Sequence, residues 1–120
     1  MPVTFNTAGG KVEISTEVIA TVVGTSTTEI FGVVGMTSQN AVRDNVRQIL
    51  RQENYSKGVV VKSDEEGTTI DVFVVISYGV KLSEVARNIQ ERVRFNLENQ
   101  LGLTNVKVNV NVQSVKVMGD

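Results

Sequence analysis

The segment from Thr68 to Tyr78 constrains the fold most. It sets Ile70, Val72, Val74 and Ile76 at one parity and Phe73 and Val75 at the other. A strand of this kind is apolar on both faces, so it belongs in the centre of a sheet, covered at least in part on both sides. Val59, Val60 and Val61 come before it, and Asp64-Glu65-Glu66-Gly67 stands between the two runs. Acids followed by glycine make a turn signal, and the pair reads as an antiparallel hairpin.

The rest of the chain has to supply neighbours and cover for that strand. Val12 and Ile14 alternate with Lys11 and Glu13, predicting a first strand over Lys11 to Ile14, and Ser15 or Thr16 ahead of Glu17 is a helix N-cap. Val18, Ile19, Val22 and Val23 then share one helical face, although the β-branched residues up to Thr28 would also suit a strand. Cap and spacing favour a helix. Ile30 to Met36 reads as a short apolar strand in which Gly32 and Gly35 leave room for a close neighbour.

Gln39 to Gln52 carries Val42, Val46, Ile49 and Leu50 as one helical stripe, ended by Asn54 to Gly58. A longer helix is predicted from Ser83 to Leu101 on Val85, Ala86, Ile89, Val93, Leu97 and Leu101, with Ser83 as cap and Gly102 as stop. Its far face, with Arg87, Glu91, Arg94 and Glu98, reads as solvated. In the last strand, Asn105 to Val112, the valines at 106, 108, 110 and 112 face one way, and Lys107, Asn109, Asn111 and Gln113 face the other. Val115 and Val117 have the opposite parity, so a β-bulge or the end of the strand lies at Ser114. The predicted order is β-α-β-α-β-β-α-β. This is an α+β fold in one domain over residues 1–120, a mainly antiparallel sheet with amphipathic helices on one face.

Composition removes much chemistry. With no histidine and no cysteine, the commonest neutral-pH acid/base, thiolate nucleophiles, disulfides and nearly all zinc sites are gone. Asp64, Glu65 and Glu66 are consecutive rather than spaced as calcium ligands are, and they suit a solvated hairpin tip. No phosphate-loop pattern occurs, and none of the lysines sits in a serine–lysine motif. We therefore assign no catalytic, cofactor or metal residue and expect a protein that is not an enzyme. The start of the chain has no basic region followed by an apolar stretch, and no segment approaches the length of a membrane span. The expectation is a cytoplasmic protein without direct membrane insertion, reaching a membrane through a partner if at all.

Two surfaces are candidates for recognition. The first is the flat polar sheet face of Lys107, Asn109, Asn111 and Gln113, on a β-branched strand able to pair with another chain. The second is an RNA surface: Gly32-Val33-Val34-Gly35 matches the G-x-x-G of KH modules, and Arg43, Arg47 and Arg51 form a stripe spaced by four. The valines inside that motif, and 12 basic against 13 acidic residues overall, weigh against nucleic acid.

Four segments taken together carry a family resemblance: Gly10-Lys11-Val12-Glu13-Ile14-Ser15 with Glu17-Val18-Ile19-Ala20; Gly32-Val33-Val34-Gly35-Met36; Val72 to Val80 running into Val85-Ala86-Arg87-Asn88-Ile89-Gln90; and Val108 to Val115. Over about residues 9–116 the chain resembles the alkaline shock protein, or Gls-type envelope stress response, family of Gram-positive bacteria. It is most similar to the short members that lack charged tails. The resemblance implies a non-enzymatic cytoplasmic protein of cell-envelope homeostasis, a scaffold or protein-interaction module. Implied partners are a membrane anchor protein, as for larger self-associating members, or a fatty-acid kinase subunit, whose gene often neighbours those of short members. It also makes a homo-oligomer, or an accessory or sensor role in fatty-acid and phospholipid metabolism, worth testing. No catalytic residue comes with it; Tyr78-Gly79 and Ile89-Gln90 match the family pattern and read as a strand-to-helix turn and a helix face.

Overall fold

The acidic turn forms as expected. Asp64 Oδ1 accepts a hydrogen bond from the Glu66 backbone N–H at 2.8 Å, closing the chain between two antiparallel strands. In the computed structural model, which describes residues 3–38 and 52–117, the fold is α+β. The described strands are β1 (Val3–Thr7), β2 (Gly10–Ile14), β3 (Val33–Met36), β4 (Val59–Asp64), β5 (Gly67–Ser77) and β6 (Val106–Lys116). The α-helices among these residues are α1 (Thr16–Thr28) and α2 (Leu82–Asn96). A 3-10 helix, Gln52–Gly58, leads into β4, and a π-helical turn, Leu97–Leu101, extends α2.

β5 is the centre of the main sheet. One of its edges is shared end to end: β4 pairs antiparallel from Gly67 to Val72, and β3 pairs antiparallel from Val74 to Ile76. Between them the Thr37 N–H donates to Phe73 O at 3.0 Å. The ends of β3 and β4 abut so closely that a Cβ on Gly58 would lie 2.9 Å from Thr37 O, which only glycine allows. The other edge of β5 is taken along its length by β6, in parallel. Parallel neighbours need a long crossover, and α2 supplies it.

Both helices pack on one face of β5. Ile19, Ala20 and Val23 of α1, and Val85, Ile89 and Val93 of α2 with Leu97 beyond it, form one buried cluster with Ile70, Val72, Val74 and Ile76. Phe73 and Val75, at the other parity, are also buried but lie outside that cluster.

α1 holds despite its β-branched sequence because Ile19, Ala20 and Val23 are buried in the core, and its hydroxyls find partners on the helix itself. Thr21, Ser26, Thr27 and Thr28 donate to the carbonyls of Glu17, Val22, Val23 and Gly24, at 2.6–3.1 Å. This lets Ser26 and Thr27 be buried without orphaned polar groups. Ser15 caps the helix, accepting from Val18 N at 3.2 Å.

Several expectations need adjustment. α2 begins one residue earlier than expected: its N-cap is Lys81, without a side-chain bond, and Ser83 lies inside the first turn. The helical run still ends at Gly102, at φ 71°, after the π-helical turn. A hairpin partner, β1, precedes the expected first strand and pairs with it from Val3↔Ile14 to Thr7↔Gly10. Val3 and Ile14 join the core, and Phe5 packs against it. The helix expected over Gln39–Gln52 lies outside the described residues, except for Gln52 at the start of the 3-10 helix. Among the described residues no helix is long and apolar enough to cross a membrane.

Candidate interaction surface

β6 combines β-branched propensity with strict alternation, and the structure uses both. Val108 is buried beneath α2, while Lys107 and Asn109 are exposed and Asn111 and Gln113 half-buried. The four predicted residues are thus on one strand. They form rows with their neighbours across the sheet: Lys107 beside Thr69 and Lys62, Asn109 beside Asp71 and Val60.

This face is internally braced. Asn109 Nδ2 donates to Asp71 Oδ1 at 3.0 Å, and Asn111 Nδ2 donates to Val72 O at 3.2 Å. Behind it, Gln90 of α2 donates to Val108 O at 3.0 Å, so the family-pattern residue Gln90 ties the crossover helix to the strand it delivers. Lys107 has no ion pair among the described residues. The outer edge of β6 pairs with no other strand among the described residues. Among the described residues, then, the backbone N–H and C=O groups of that edge have no strand partner, the arrangement to which a further strand can add.

Gln113 has a different status from its three companions. Val74 pairs with Val112 and Val75 with Ser114, so Gln113 is the extra residue of a β-bulge, and the parity break seen in the sequence is this bulge. The bulge returns Val115 to register with Ile76, on the face that Val112 occupies. There Val112 and Val115 stay substantially exposed, as do Tyr78 and Val117 at the same end of the sheet. Tyr78 N donates to Lys116 O at 2.8 Å and fixes that end. Sequence reasoning missed Asp71 as a member of this face because it lies within an apolar run; its parity, matching Phe73, was the available signal. The exposure of Val115 could not be read from sequence, since it depends on where α2 stops covering the sheet.

The residues of the RNA alternative are not gathered into a loop. Gly32 lies in the turn after α1 at φ 100°, its Cα so near α2 that a Cβ would sit 2.9 Å from Val85 Cγ2. Gly35 is a buried strand residue paired with Val75. A KH-type motif joins two helices; here it spans a turn and β3. Arg43, Arg47 and Arg51 lie outside the described residues.

Comparison with known proteins agrees with the fold-wide pattern. A family model for the alkaline shock protein 23 family, of cell envelope-related function, matches residues 4–117. The chain is 62% identical over 120 residues to the uncharacterized protein Spy1614 of Streptococcus pyogenes, covering 100% of this chain and 99% of that one. It is 42% identical over 117 residues to the uncharacterized protein YloU of Bacillus subtilis, covering 98% of each. A second Bacillus subtilis protein, the uncharacterized YqhY, is 35% identical over 107 residues, covering 89% of this chain and 78% of that one. No solved structure gives a significant match.

Proposed function

Because the chain belongs to the alkaline shock protein 23 family, a family of cell envelope-related function, we propose that it serves the envelope as a non-enzymatic binding platform. It holds protein partners on the β6 flank of its sheet, works in the cytoplasm, and reaches the membrane only through such a partner. The observation that carries this reading is β6 itself. It is an 11-residue edge strand, braced from behind by Gln90 and from the side by Asp71, and it presents Lys107 and the Val112–Val115 end outward. Rigid edge strands with exposed side chains bind by adding a strand, main-chain bonds giving affinity and side chains giving choice of partner.

The test is affinity capture from native-host lysate, split into cytosolic and membrane fractions, with and without nuclease. The wild type is compared with a Lys107→Glu, Val115→Lys double variant, which alters the surface without touching the core. Recovery of a membrane anchor or lipid-metabolism protein by the wild type alone, whatever the nuclease treatment, is the expected result. Recovery of only nuclease-sensitive ribosomal or RNA-associated proteins, or equal recovery by the variant, would overturn it.

A further inference from the structure

We propose that Gln90 of α2 gates the outer edge of β6: its side-chain amide occupies a backbone acceptor that an incoming strand must take, so that an extended segment of a partner protein binds by displacing it. The gate rests on the reading of β6 as the place where a partner strand adds, and it limits which segments that edge accepts.

The backbone decides which groups of β6 are open. Successive residues of a strand turn their N–H and C=O alternately to one side and the other. Thr68, the register partner of Val106, donates its N–H to Asn105 O at 3.3 Å. Continuing in register, Lys107, Asn109 and Asn111 turn their backbone groups to β5, and Val106, Val108, Val110 and Val112 turn theirs outward. The bulge at Gln113 reverses this phase: beyond it Lys116, an even-numbered residue, faces β5, its carbonyl accepting from Tyr78 N at 2.8 Å. An added strand therefore finds unbroken register only from Val106 to Val112, and among the described residues no strand pairs there.

Within that stretch the Val108 carbonyl is already engaged. Gln90 Nε2 donates to it at 3.0 Å, from a half-buried position next to Ile89, which is fully buried in the core. Native sheets shield their edges against indiscriminate pairing, and here one side chain does so in place of a strand. A segment that replaces Gln90 gains no hydrogen bond at Val108 O, because one N–H is exchanged for another. The gain comes from Val106, Val110 and Val112, so a segment has to lie extended across all of them before displacement is favourable. Its side chains alternate as those of β6 do, with apolar ones on the face of half-buried Val110 and exposed Val112 and polar ones on the face of Asn109 and Asn111.

The probe is the leading sequence from a phage-displayed library of random decapeptides selected on the full chain, synthesised and titrated by fluorescence anisotropy against the wild type and three variants. Gln90→Ala removes the amide, and Gln90→Glu keeps the length of the side chain but removes the donor. Asn96→Ala removes a hydrogen bond from α2 to Ser26 Oγ, 2.7 Å long and on the α1 side of the helix, and is the control for general loosening. Unchanged circular dichroism shows that all three fold. Selected sequences are expected to alternate apolar and polar residues, and the bound peptide should slow amide exchange at Val106, Val108, Val110 and Val112. Affinity should rise about fivefold with Gln90→Ala and with Gln90→Glu, the worth of one hydrogen bond, and stay unchanged with Asn96→Ala. Equal affinity of the wild type and both Gln90 variants, with those amides protected, or an equal rise with Asn96→Ala, would overturn the gate and leave the reading of β6 standing. Failure to select any peptide that protects those amides would overturn both. A wild-type dimer in sedimentation that protects them without peptide would overturn the partner strand, since a second copy of this chain would then hold the edge.

Discussion

β5 and β6 run side by side in the same direction, are each 11 residues long and pair from Thr68↔Val106 to Ser77↔Lys116 with one bulge, yet one is interior and the other is surface. Val74 and Val112 are register partners of identical chemistry; the first is 0% exposed and the second 38%. The difference does not come from the residues at those positions. β5 has strands along both edges and helices over it, while β6 has a strand on one edge among the described residues and leaves the cover of α2 toward its end. A valine is therefore sealed in the core or left at the surface according to how many neighbours the topology gives it.

Substitutions at these paired positions can break that comparison. Val74→Asp buries an unpaired carboxylate, or forces it to stay protonated, and should cost at least about 4 kcal/mol, leaving no folded protein at moderate urea. The same change at Val112 should cost about 0.5 kcal/mol in urea unfolding followed by circular dichroism. If Val112→Asp proves as damaging as Val74→Asp, β6 is covered in solution, and the open-edge picture fails. A middle-sized effect tests the brace: Gln90→Ala removes one hydrogen bond to Val108 O and should cost about 1 kcal/mol. Amide exchange should then quicken in β6 before it does in β5. The smallest effect concerns the polar face. Asn109→Asp sets a carboxylate opposite Asp71, which should destabilise by about 0.2–1 kcal/mol and recover in part with added salt.

Legibility in the sequence followed how local each cause was. The β4–β5 hairpin, the two-sided burial of β5, the Ser15 cap, the Gly102 stop and the parity break in β6 each depend on residues close together in the chain, and each was expected. β1 was not, because Val3 and Phe5 make too short an alternation to stand out until β2 pairs with them. Ser83 looked like a cap by residue type, but the helix starts at Leu82 behind Lys81, and Ser83 falls inside its first turn. For the candidate surface, the sequence identified Lys107, Asn109 and Asn111 as one face. The Asp71 brace and the exposed Val115 depend on register and on helix cover, which no single segment encodes. Phe31 falls in the run expected as a strand from Ile30, but the chain turns there and the strand begins only at Val33, leaving Phe31 exposed.

The two bulges of the sheet face each other across β5. β3 carries an extra residue, Val34, where it pairs with Val75 and Ile76, and β6 carries Gln113 between its pairings with Val74 and Val75. The two slips flank the same short span of β5 from opposite edges. Since each bulge sharpens the local twist, torsion in the sheet is gathered along one crease instead of being spread over its length. A pull on the end of β6 beyond Gln113 meets this crease before it meets the stretch of β6 paired with Ile70 and Val72.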